Sequence, residues 1–109
     1  MGTSAGMERL QFEFVGAEPV AAFPPTLVGV VGSGNLEVLA EPRAGAACSV
    51  EIETSARGFG HVWEAVLRDF HERHPLAGVR LSINDMGATP AVVRLRLDQA
   101  VAQIAEARP

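Results

Sequence analysis

Lysine and tyrosine are absent from this chain, and cysteine and tryptophan occur once each. Without a lysine amine there is no Schiff-base chemistry and no attachment of biotin or lipoate. A lone cysteine, Cys48, cannot close an internal disulfide, so the fold must stand on its apolar core. No basic start leads into an apolar run with a small-residue cleavage site. The longest apolar stretch near the front, Val20 to Val31, is broken by Pro24-Pro25 and is too short to span a bilayer. A cytoplasmic protein that enters no membrane is expected. Also missing is a basic stripe with interleaved aromatics. All nine basic residues are arginines, set against thirteen acidic ones for a net charge of −4. Residues 1–55 hold two basic and seven acidic side chains, and residues 56–109 hold seven and six. This balance argues against nucleic acid and favours partners that carry basic patches.

What is present suits one domain. The length of 109 residues, 48% of them apolar, allows a single core without staples. Residues 1–9 are expected to form an unstructured start or a cloning remnant, with Met1 to Gly6 small and polar, and residues 10–109 a single domain. Leu10, Phe12 and Phe14 alternate with polar neighbours, the period of a half-buried strand. Val15 to Thr26, with three prolines, reads as a connecting loop. Leu27–Val31 and Leu36–Ala40 flank Gly32-Ser33-Gly34-Asn35, whose glycines and asparagine tolerate the positive φ of a tight hairpin turn. Cys48, Val50 and Ile52 alternate with Ser49, Glu51 and Glu53 as a further strand.

Helical spacing then takes over. Val62, Trp63, Val66, Leu67 and Phe70 form one stripe, Glu64 and Arg68 are placed to pair outside it, and Pro75 ends the helix. Val79, Leu81 and Ile83 make a last strand that closes in a turn at Asp85-Met86-Gly87. Thr89 is placed as N-cap and Pro90 as first residue of a second helix running to about Ala107, with Val93, Leu97, Ala100, Val101 and Ile104 inward. The predicted fold is α+β: a mainly antiparallel sheet with two helices packed on one face.

Enzyme signatures are largely missing. Ser33 lacks the glycines two residues to either side that a hydrolase elbow needs, since Val31 and Asn35 stand there. Gly32-Ser33-Gly34 is followed by neither Gly-Lys-Ser/Thr nor a helix, so it makes a poor phosphate cradle. His61, His71 and His74 have no cysteine or paired carboxylate to complete a metal set, and no metal is expected. Cys48 faces inward on its strand, and Asp85 at a strand end reads as an Asx-turn residue. Taken alone, Gly32-Ser33-Gly34-Asn35 is most simply a tight turn.

Two blocks change that reading. Leu27-Val28-Gly29-Val30-Val31-Gly32-Ser33-Gly34-Asn35-Leu36-Glu37-Val38-Leu39 and Asp85-Met86-Gly87-Ala88-Thr89-Pro90-Ala91-Val92-Val93-Arg94-Leu95-Arg96-Leu97-Asp98-Gln99-Ala100 resemble the acyl carrier proteins, or delta subunits, of malonate decarboxylase. The likeness runs from about Leu10 onward, with the blocks in matching order and spacing. The related carrier of citrate lyase shares the serine motif type and an arginine-containing final helix, but differs at the equivalent of Ala88-Thr89-Pro90. It is one alternative; a non-catalytic binding or structural α+β module is another.

The resemblance implies that Ser33 carries 2'-(5''-phosphoribosyl)-3'-dephospho-CoA through a phosphodiester, with Gly32, Gly34 and Asn35 shaping the site. It further implies a holo-carrier synthase (a phosphoribosyl-dephospho-CoA transferase) that installs the group, and acyl transferase and decarboxylase subunits that use it. By the same resemblance the carrier itself is expected to perform no chemistry. The family usually has Asp where this chain has Asn35, so a negative charge beside the serine is gone while the turn preference remains.

Overall fold

The computed structural model describes residues 6–106. The expected unstructured start over residues 1–9 lies, for residues 1–5, outside the described residues, whereas Glu8 and Arg9 are paired in a strand with Thr54 and Glu53. Seven strands and two helices follow in the order β1 (Glu8–Val15), β2 (Glu18–Pro19), β3 (Thr26–Gly29), β4 (Leu36–Pro42), β5 (Ala47–Thr54), α1 (Gly60–Arg73), β6 (Leu76–Ala77), β7 (Val79–Asp85) and α2 (Pro90–Glu106). Five of the strands form one sheet in the order β1-β5-β7-β4-β3. Its pairings are antiparallel except for β5–β7, which run parallel because α1 carries the chain back between them. The architecture is thus the α+β arrangement that the alternation predicts.

Period two decides which face is covered. Val38 and Ala40 of β4, Val50 and Ile52 of β5, and Leu81 and Ile83 of β7 are all buried on the helix side. Against them lie Trp63, Leu67 and Phe70 from α1, and Val93, Leu97, Ala100 and Ile104 from α2. The opposite face is polar, with Arg9, Gln11 and Glu13 on β1, Glu51 and Glu53 on β5, and Arg80 on β7. Helix α2 lies over β3 and β4, so its inward stripe and that hairpin share one part of the core.

The helix ends are built differently. Thr89 caps α2, its Oγ1 accepting from Val92 N at 3.3 Å while its carbonyl accepts from Val93 N at 3.0 Å. Helix α1 starts at Gly60 with no side-chain cap, its first N–H groups at Val62 and Trp63 turning to the Phe59 carbonyl. It ends as Pro75 requires, with His74 N closing on Phe70 O. Glu64 pairs with Arg68 at 2.9 Å, and Arg73 joins Asp69 at 3.1 Å and Asp98 at 2.8 Å, tying α1 to α2.

Two expectations need correction. The segment from Val15 to Thr26 is not wholly a loop, because Glu18 and Pro19 pair parallel with Leu76 and Ala77. Ala17 N and Glu18 N both donate to Pro75 O, Gly16 sits so close to the Leu76 backbone that a Cβ would overlap it, and Phe23 is buried. Two paired residues leave no alternation to read. The first strand of the hairpin stops at Gly29 rather than Val31, because Gly29 takes φ +79° and turns the chain out of the sheet. Val30 and Val31 are left exposed in the connection.

Candidate functional site

Gly32-Ser33-Gly34-Asn35 closes on itself, with Asn35 N donating to Gly32 O at 2.9 Å. Gly34 has φ +73°, and no non-glycine residue among those described has a positive φ. A single left-handed residue at the third position makes this a type II turn, with Ser33 at the second position. It therefore differs from the two-residue hairpin turn expected, and is set within a six-residue connection between β3 and β4. Ser33 is exposed, and a Cβ at Gly34 would meet nothing within 4 Å. Space around the hydroxyl is open.

The turn is nonetheless held. Gly34 N donates to Met86 O at 2.8 Å, and Met86 N returns a bond to Asn35 O at 2.9 Å. Met86 is in turn positioned by Asp85, whose carboxylate is buried and accepts from Thr54 Oγ1 at 2.7 Å, Ala88 N at 3.0 Å and Gly87 N at 3.2 Å. Thr54 Oγ1 itself accepts from Ala56 N. The Asx turn foreseen at Asp85 is thus also a buried bridge between the ends of β5 and β7. Leaving such a carboxylate without its donors costs roughly 1–3 kcal/mol or more, so the loop behind the serine is rigidly specified.

Asn35 makes the second brace. Its Oδ1 accepts from Leu36 N at 2.8 Å and from Arg96 Nε, on α2, at 3.2 Å. Arg96 Nη1 continues to Gln99 Oε1 at 2.9 Å. Gly32, Ser33, Gly34 and Asn35 are therefore brought together with Met86 and Arg96, residues from the second sequence block. Those two blocks form one place in the fold. Residue type singles out neither Met86 nor Arg96 nor Thr54, because each acts through a partner distant in the chain.

The other candidates disperse. His71 stacks on Phe14 with ring centroids 5.1 Å apart and reaches Val15 O, while His74 lies 3.5 Å from Asp98. Among the described residues no three metal-ligating side chains cluster. Cys48 is buried, and desolvation pushes its thiol up to about 11. Among the described residues no helix is long and apolar enough to cross a membrane.

The sequence profile of the malonate decarboxylase delta subunit (MdcD), an acyl carrier protein, matches residues 24–104. The chain belongs to the malonate decarboxylase acyl carrier protein family. A Burkholderia cepacia malonate decarboxylase acyl carrier protein is 73% identical over 107 residues, covering 96% of this carrier chain and 99% of the relative. One from Acinetobacter calcoaceticus is 54% identical over 96 residues, covering 87% and 94%. A chain in the crystal structure of a Pseudomonas malonate decarboxylase hetero-tetramer in complex with malonate superposes on the carrier with a TM-score of 0.81 at 39% identity, over 89% of this chain and 98% of that one.

Proposed function

We propose that this chain is the non-catalytic, cytoplasmic acyl carrier subunit of a malonate decarboxylase. In this reading Ser33 Oγ is joined by a phosphodiester to 2'-(5''-phosphoribosyl)-3'-dephospho-CoA. When bound, the group supplies a terminal thiol on which acetyl and malonyl are carried as thioesters. The observation that carries the reading is Ser33 itself: an exposed hydroxyl at the second position of a turn whose flanks are glycines, braced from behind and open in front.

A nucleophilic serine needs a base to activate it, and among the described residues no side chain hydrogen-bonds the Ser33 hydroxyl. The reading therefore gives activation to an incoming holo-carrier synthase. Glycine on each side lets that transferase bring a bulky nucleotide close to the backbone. The partners in catalysis are acyl transferase and decarboxylase subunits, in keeping with the hetero-tetrameric assembly of the Pseudomonas relative. A tether raises the effective concentration of the acyl group at each partner's site, which a freely diffusing thioester could not match.

Intact mass of the chain isolated from its native host is expected to exceed the sequence mass by one such group, located on Ser33 by peptide mapping. Ser33→Ala should remove the added mass and leave the melting temperature within about 1 °C, since an exposed turn position carries little stability. A native chain of unmodified mass, or a modified Ser33→Ala chain, would overturn the proposal.

A further inference from the structure

Arg96 differs in its surroundings from most other arginines of the fold. Arg9, Arg68, Arg73, Arg80 and Arg94 each lie within ion-pair distance of a carboxylate. Among the described residues Arg96 has no such partner, and its hydrogen bonds go to the neutral side-chain amides of Asn35 and Gln99. Its charge is oriented but not compensated. The stem is positioned as well, since a Cβ at Gly29 would lie 3.2 Å from Arg96 Cδ.

That charge sits at the proposed attachment turn. Asn35, which Arg96 Nε contacts at 3.2 Å, is two residues from Ser33 in the same β-turn, whose ends lie within about 7 Å of each other. A guanidinium carries five N–H donors in a planar fork, and the two contacts seen here leave the Nη2 pair unused among the described residues. A phosphodiester on Ser33 Oγ would add a monoanion to the turn that Arg96 already contacts, and at physiological salt such charges act over roughly 8 Å. Asparagine at position 35 matters here, because a carboxylate in its place would neutralise the same guanidinium at the same distance.

We infer that Arg96 is the phosphate-binding residue of this carrier. Its guanidinium pairs with the phosphodiester that would join the group to Ser33 and so fastens the root of the arm to α2. The inference rests on the proposed attachment at Ser33 and adds to it a residue 61 positions from Asn35 in the chain. A guanidinium–phosphate pair adds the attraction of opposite charges, which the contacts of Arg96 to neutral amide oxygens lack. Loading should therefore stabilise the fold.

The test compares unloaded and loaded chains, with intact mass reporting the modification before anything else is measured. At low salt, loading is expected to raise the melting temperature of the parent chain by roughly 2–5 °C. The rise should shrink as salt increases, vanish in Arg96→Gln, persist in part in Arg96→Lys, and be reduced in Asn35→Asp. In the parent chain the Arg96 Nε–Hε resonance should shift on loading, a readout that needs no variant if Arg96→Gln loads poorly. An equal rise in the parent and Arg96→Gln, or an unmoved Arg96 resonance in a chain of confirmed added mass, would overturn this inference alone. A chain that gains no mass on Ser33 would overturn the attachment reading, and this inference with it.

Discussion

Cys48 shows how an absence elsewhere can make one side chain measurable. The chain has no lysine and no tyrosine, so above pH 9 Cys48 is the side chain left to titrate before the arginines. Burial raises its thiol from 9.0 to about 11, which means the folded state holds the proton more tightly than the unfolded chain does. The thiol's contribution is then complete below pH 9 and is lost as pH rises through 11, by at most about 3 kcal/mol. Thermal melts should show stability falling across that window in the parent and staying flat in Cys48→Ala. The same slope in both chains would assign the loss to another group. The inward position of Cys48 was legible from the alternation of its strand. The roles of Thr54 and Arg96 were not, because each depends on a partner far away in sequence.

Among the elements, the hairpin of β3 and β4 carries the turn around Ser33, and two glycines shape it for different reasons. Gly34 needs only its positive φ, since a Cβ there would be free of contacts. Gly29 needs its positive φ and also the missing side chain, because a Cβ would overlap the Leu36 carbonyl. Gly34→Ala should therefore cost about 1–2 kcal/mol, and Gly29→Ala roughly twice that or more. Chemical denaturation of both variants checks the ranking, and equal costs would show that β3 and β4 separate easily at Gly29. Strands β1, β4, β5 and β7 and both helices were readable from their periods. The β2–β6 pair was not, as a two-residue strand held by backbone bonds leaves no trace in side-chain pattern.

At the scale of the molecule, charge is divided otherwise than its order along the chain suggests. Glu37 and Glu41 lie on β4, and Arg94 and Arg96 on α2. Arg96 reaches the turn around Ser33, and Arg94 lies 3.7 Å from Asp69 on α1. On the open sheet face Glu13, Glu37, Glu41, Glu51 and Glu53 outnumber Arg9 and Arg80, and Glu37 accepts from Asn84 at 2.9 Å. An acidic face next to the turn would suit docking on a partner that presents a basic patch, where opposite potentials speed encounter more than they add affinity. Reversing Glu37 and Glu41 to arginine should slow association with the decarboxylase assembly about tenfold at low salt, with the gap closing as salt rises. Association rates equal to the parent's at every ionic strength would exclude this face.

The sequence by itself determined the periodic parts of this protein: which residues face the core, where α2 is capped by Thr89, and where Asp85 turns the chain. Those features depend on neighbours within a few positions, so residue type and spacing suffice. The tertiary structure alone decided that the turn around Ser33 is of type II, that Met86 backs it and that Arg96 reaches it. Strand order places β4 next to β7 and lays α2 across β3 and β4, which brings segments distant in the chain within hydrogen-bonding range. No local pattern encodes a contact between residues 61 positions apart, because its geometry belongs to the packing of the whole sheet and helix layer.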